Sequence, residues 1–165
     1  MNQLWDKLDT ILTEMLELYR ALLALSKQKR EMLVKVQVQD IETITKQEET
    51  LILQIGKLEG LREQLVASIA KTSQLPPADL NLAKIRELVD QAKADRFVWI
   101  DQEFDAILKE LTSLNKLNTD LIQQSLGFIN YNLNLLSQSQ VGPTYAAKGQ
   151  SAQNTPARGL VDRKV

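Results

Sequence analysis

Cysteine and histidine are both absent from the 165-residue chain. Their absence excludes disulfides, thiolate or imidazole metal sites, Cys or His nucleophiles, and any Ser-His-Asp arrangement. A chain without disulfides fits the cytoplasm. Proline is sparse and unevenly placed: none of the four falls in residues 1–75 or 78–142, and Pro76-Pro77 stand between these blocks. Strand signals are scarce as well. Period-2 alternation is confined to residues 34–38, which read as a helix end entering a turn. No apolar run approaches the ~20 residues of a membrane span, and the N-terminus lacks the basic-then-apolar pattern of a signal peptide. An excess of either charge is also missing: 20 Lys and Arg against 21 Asp and Glu leave a net charge of −1. No global field therefore favours nucleic acid. Only the segment after Gln140, with four basic residues against one acidic, is positive, at +3, which leaves −4 on the remainder.

What is present is helical periodicity. Long proline-free blocks rich in Leu, Lys, Glu and Gln favour helix. Leu4, Leu8, Ile11, Met15, Leu18, Leu22, Leu25, Lys29, Met32 and Val36 alternate spacings of four and three. Ile41, Ile44, Glu48, Leu51, Ile55, Leu58, Arg62, Leu65 and Ile69 form a second series of the same kind. Two strict heptad seams predict coiled-coil packing. The few residues between them, with Asp40 as N-cap, predict a tight turn and an antiparallel hairpin with arms of about 50 Å. A turn centred between Val38 and Gln39 pairs residues whose numbers sum to about 77, which sets Lys29 opposite Glu48. This pair either fixes the register at some cost in stability or offers a polar contact to a third helix or a partner. Carboxylate clusters such as Glu48-Glu49 and Asp101/Glu103/Asp105 read as solvated helix faces. Gly56 and Gly60, mid-helix with charges between them, form neither a phosphate loop nor a membrane dimer motif.

After a linker at residues 72–79 the helical pattern resumes in Leu82, Ile85, Leu88, Val89 and Ala92. A longer seam follows in Phe97, Ile100, Phe104, Ile107, Leu111, Leu114, Asn118 and Leu121. The expected helices are about 3–37, 40–71, 80–92 and 95–136, the last two either continuous or kinked near residues 92–96. Residues 121–147 then contain no charged residue. Within this stretch Leu121, Ile122, Leu126, Phe128, Ile129, Tyr131, Leu133, Leu135 and Leu136 cover more than one narrow helical face. Asn130, Asn132 and Asn134 make it too polar for a bilayer. Such surplus apolar surface suits either self-association or another protein's helix, and the second is preferred. Five of the eight aromatics lie on this third helical region, in keeping with a binding role. Beyond Ser137, Gly, Pro, Ser and Gln dominate, and Tyr145 is an isolated aromatic in a polar stretch.

The sequence resembles the FlgN-type flagellar export chaperones. The resemblance rests on the long heptad helix and the turn from Leu33-Val34 to Asp40-Ile41, with Ile44-x-x-x-Glu48-x-x-Leu51 after it. It rests further on Leu114-Asn115-x-x-Asn118-x-x-Leu121-Ile122, on Ser125-Leu126-Gly127-Phe128-Ile129, and on the tail Tyr145-Ala146-Ala147-Lys148-Gly149-Gln150. Ala146 stands where many members have Gly. The resemblance implies a cytoplasmic chaperone that binds the terminal helices of hook-filament junction proteins. It prevents their premature assembly and delivers them to the cytoplasmic domain of the flagellar export gate. It also implies that the C-terminal helix carries the client contact and that Tyr145 touches the gate.

The expectations are therefore these. The fold class is all-α: a long antiparallel coiled-coil hairpin with a third helical region packed along it and a disordered C-terminal tail. Residues 1–136 form the chaperone domain and 137–165 the tail. Client contacts fall on Leu114, Asn118, Leu121, Ile122, Phe128, Ile129, Leu133 and Leu136. No catalysis, cofactor, metal, nucleic acid or membrane insertion is expected, and the protein is a monomer or weak dimer. The competing readings are a structural or tethering coiled coil and an export chaperone for a different flagellar client, such as the filament cap. The tethering reading predicts a charged outer face along every helix, which the uncharged stretch contradicts.

Overall fold

The computed structural model describes residues 2–139; the expected tail and Tyr145 lie outside the described residues, apart from the last helical residues 137–139. The described residues are helical, in the order α1 (Asn2–Lys35), α2 (Val38–Thr72), a short 3-10 turn (Pro77–Asp79), α3 (Leu82–Leu88) and α4 (Gln91–Ser139). The all-α expectation holds, as does the hairpin with a third helix along it. Two compact units divide the chain, Met1–Leu126 and Gly127–Val165.

In the first unit α1 and α2 run antiparallel. Trp5 and Leu8 share a core cluster with Ile69 at one end, while Lys29 Nζ lies 2.8 Å from Glu48 Oε2 near the other. That contact matches the register expected from the heptad seams. Helix α4 packs on α1 in parallel: the Trp5 and Phe97 rings meet edge-on at 6.1 Å, and Tyr19 and Phe104 meet at 5.6 Å. Leu16, Ile107 and Leu111 form a second cluster further along. Leu82, Ile85, Leu88 and Val89, from α3 and its end, close the base of the first cluster.

Helix α1 is thus two-sided. Its heptad seam faces α2, and a second stripe through Trp5, Leu12, Leu16, Tyr19 and Leu23 faces α4. Ion pairs flank this second contact. Asp6 pairs with Lys93 at 2.7 Å and Asp9 with Arg96 at 3.0 Å; then the signs reverse, with Arg20 to Glu103 and Lys27 to Glu110, both at 2.7 Å. An antiparallel α4 would set Asp6 and Asp9 towards Glu103 and Glu110, so the reversal selects the parallel arrangement. The hydrogen bond that Lys93 Nζ donates to the Asp6 carboxylate holds the Lys93 ammonium above its ordinary range, against the opposing effect of desolvation. A raised base contributes while it is protonated. Its share of stability is complete at neutral pH and is lost only as the pH rises through that elevated value.

Three sequence expectations are corrected in detail. The first concerns the turn: α1 ends at Lys35, so Val36 is not a seam member but an exposed residue with φ 56°. Gln37 N–H donates to Met32 O at 3.0 Å and Val36 N–H to Leu33 O at 3.3 Å, the paired bonds of a Schellman ending. Helix α2 starts at Val38 with Gln37 as its N-cap and no side-chain cap bond. Asp40 instead lies in the first turn, where its charge favours the helix dipole. The second concerns the break before α4, which falls at Val89-Asp90 rather than at residues 92–96. Asp90 Oδ1 accepts from Lys93 N–H at 2.9 Å and so starts the last helix. The third concerns the carboxylates read as solvated: Glu48 is buried and Glu103 is engaged by Arg20.

A β-branched residue at positive φ costs free energy that glycine does not. Val36→Gly is expected to stabilise the protein by about 1 kcal/mol. The check is a rise in the urea midpoint with an unchanged slope.

Candidate functional site

The stretch singled out by sequence begins where α4 is still part of the core. Leu114 is 8% exposed and Asn118 only 4%. Asn118 Nδ2 donates to the backbone oxygen of Ser26 at 3.1 Å. Ser26 Oγ in turn donates to Glu48 Oε1 at 3.2 Å, and Lys29 Nζ donates to Glu48 Oε2 at 2.8 Å. One polar node therefore joins α1, α2 and α4 inside an otherwise apolar core. The Lys29–Glu48 pair is largely shielded from solvent, so its two charges depend on one another, and the Glu48 carboxylate also on Ser26.

Leu121 and Ile122 are half-buried. Beyond them the apolar side chains are exposed: Leu126 in the first unit, and Phe128 (69% exposed), Ile129, Tyr131, Leu133, Leu135 and Leu136 in the helical part of the second. Of the eight residues expected to meet a client, two are thus occupied by the packing of α4 on α1, two lie at its margin, and four are exposed. Tyr145 lies outside the described residues.

Two features explain how helix α4 sustains this surface. Its apolar seam shifts after Asn118. The core series ends at Leu121, and continuing its spacing would give Ser125, Phe128 and Asn132, a mixed stripe. Starting one residue later, Ile122, Leu126, Ile129 and Leu133 recur at four, three and four and are all apolar. Several polar side chains also turn back onto their own helix. Ser125 Oγ donates to Leu121 O, Asn132 Nδ2 to Phe128 O and Ser137 Oγ to Asn134 O, each at 2.9 Å. Groups satisfied on the backbone make little demand on the environment, so the exposed face can be covered without stranding charges. No helix among the described residues is long and apolar enough to cross a membrane.

Sequence reasoning missed Ser26 and the second stripe on α1. Both were within reach of it: Trp5, Leu12, Leu16, Tyr19 and Leu23 fall on one helical face, and Ser26 extends that face by three residues.

Comparison with known families gives a match to the family described as FlgN protein over residues 1–153, a span that includes Tyr145. No curated protein matches the chain, and no solved structure does.

The node yields a contrast between single and double substitutions. Glu48→Ala leaves the Lys29 ammonium shielded and unpaired, with an expected loss of about 3 kcal/mol. Replacing both members, Lys29→Met with Glu48→Leu, removes the charges together and is expected to lie within about 1 kcal/mol of the parent protein. Chemical denaturation of the two variants measures the difference.

Proposed function

The chain belongs to the FlgN family and is a flagellar export chaperone, and from that premise we propose that its clients are hook-filament junction proteins. Their terminal helices pack against the C-terminal part of α4, through Leu121, Ile122, Phe128, Ile129, Leu133 and Leu136. Leu114 and Asn118 belong to the same motif and act one step back, by anchoring α4 on α1. The single observation that carries this reading is the uncharged, apolar, exposed surface from Leu126 onward. An amphipathic client helix laid along it buries apolar area on both partners and desolvates no ionised side chain of α4. Covering that client helix also keeps it from assembling prematurely.

The proposed setting is the cytoplasm, and the activity is binding rather than catalysis. Tyr145 supplies a second contact, to the cytoplasmic domain of the export gate. A tail contact and a helix contact can form at the same time, so delivery need not begin with release, and the second contact gains from the effective concentration created by the first.

Replacing Leu121 and Phe128 by Asp is expected to weaken co-purification with a junction protein by more than tenfold, roughly what an uncompensated carboxylate costs in an apolar contact. Helicity by circular dichroism should persist, because the seams of the hairpin lie elsewhere; unchanged client capture would refute the assignment. Tyr145→Ala should leave client capture intact and reduce pull-down by the gate domain by about tenfold or more. Equal losses in both assays would contradict the separation of helix and tail.

A further inference from the structure

A cavity of about 480 Å³ lies between the last turns of α1 and the middle of α4. Its apolar lining is Val34, which is 66% exposed, and Leu114. The other lining residues are charged. Lys27 and Glu110 pair with one another across the two helices at 2.7 Å. Arg30, Glu31 and Lys35 are exposed and make no ion pair among the described residues. Two free cations against one free carboxylate leave the cavity positive. The negative end of α1 and the positive end of α2 meet in the neighbouring turn and oppose one another, so the side chains set this sign.

The cavity adjoins the surface assigned to the client. Leu114, the exposed Leu117 and the half-buried Leu121 recur at three and four residues on one edge of α4. A client helix resting on Leu121 therefore reaches the cavity with about two further turns. What arrives there depends on the direction of that helix. A carboxyl end carries unsatisfied carbonyl groups and about half a negative charge, and an amino end carries the opposite. We infer that the client helix lies antiparallel to α4, with its carboxyl end in this cavity. Arg30 and Lys35 donate to its free carbonyl groups, while Val34 and Leu114 cover an apolar side chain of its last turn. The reverse direction would set free N–H groups against two unpaired cations. Opposed dipoles also lie side by side in the antiparallel arrangement. Glu31 is the one free group that opposes it. The inference rests on the client reading of α4 and adds to it the direction of the client helix and a contact from α1.

Because the chain has no cysteine, Val34→Cys gives a unique and exposed attachment point for a benzophenone photo-cross-linker. The labelled full chain is irradiated in complex with a co-purified junction protein, and the joined peptides are identified by mass spectrometry. Cross-links to the carboxyl end of the client's helix are expected. Cross-links to its amino end overturn the inference, as does a complex that forms without any cross-link to that helix. Unlabelled charge variants test the same cavity independently. Arg30→Glu combined with Lys35→Glu should weaken capture about fivefold or more in 0.1 M salt, where the Debye length is about 10 Å. The loss should fall below about twofold near 1 M, where that length is about 3 Å. Glu31→Gln should bind at least as well as the parent chain. No loss in the double variant, a loss unaffected by salt, or weaker binding by Glu31→Gln each overturn the inference. Failure of the client reading is distinct: capture is then indifferent to the Asp substitutions at Leu121 and Phe128. If those substitutions abolish capture while the cavity tests fail, only the direction and the α1 contact fall.

Discussion

Helix α1 has to bury two apolar stripes at once, and the arrangement of the other helices follows from that requirement. One stripe is the heptad seam through Leu8 and Met15; the other runs through Trp5, Leu16 and Tyr19. A single partner helix covers one stripe of another helix, not two. The hairpin turn brings α2 back antiparallel onto the first stripe. The short connection through residues 73–90 then returns the chain so that α4 can run parallel to α1 on the second. Large side chains suit the α1/α4 contact: Trp5, Phe97, Tyr19 and Phe104 span the gap with edge-on ring contacts that add directional preference to area burial.

Apolar seams fix which faces meet but discriminate poorly among registers, since a slip of seven residues again sets leucine against leucine. The polar groups resolve this. The sign reversal along the α1/α4 ion pairs is satisfied by one orientation of α4, and the half-exposed setting of these pairs makes them selective rather than strongly stabilising. The node at Ser26, Lys29, Glu48 and Asn118 acts on all three helices together. A slip of either α2 or α4 would leave a shielded charge or amide without its partner, which costs more than the node contributes when complete. Trp99 adds a related contact at the edge, with the Arg96 guanidinium 4.7 Å and that of Arg20 5.9 Å from its ring centre.

Much of this was legible in the sequence, because the information lay in spacing. Both hairpin seams, the antiparallel turn, the meeting of Lys29 with Glu48 and the seam of α4 from Phe97 to Leu121 are consequences of a period that can be read by counting. What could not be read depended on atoms outside that period. Val36 continues the seam by number, yet backbone bonds to Leu33 and Met32 turn the chain there and expose it. The break before α4 falls at Val89-Asp90 rather than near residues 92–96, because the Asp90 carboxylate comes within bonding distance of Lys93 N–H, a contact that composition does not reveal. Asn118 was expected to meet a client on the strength of its motif. Its burial follows from the backbone oxygen of Ser26, which no side-chain pattern reveals.

Under the proposed function the same helix serves stability and recognition in succession, and the change in its surface occurs within a single turn. Up to Asn118 the apolar positions of α4 are matched to α1, and the flanking charges Lys93, Arg96, Glu103 and Glu110 are matched to it as well. After Asp120 the charges stop and the seam moves by one residue, about 100° around the helix. A helix that merely outlasted its partner would be expected to turn polar, since exposed leucine contributes nothing to folding and favours aggregation. Here the apolar content is maintained while the polar residues between are Asn, Gln and Ser, three of which bond their own backbone. Charge removal lowers the desolvation cost of covering the surface, and local satisfaction of the polar groups lowers it again. Neither feature helps the free chain fold. Both lower the cost of adding another helix to this surface, and that physical difference separates the end of α4 from the rest of it.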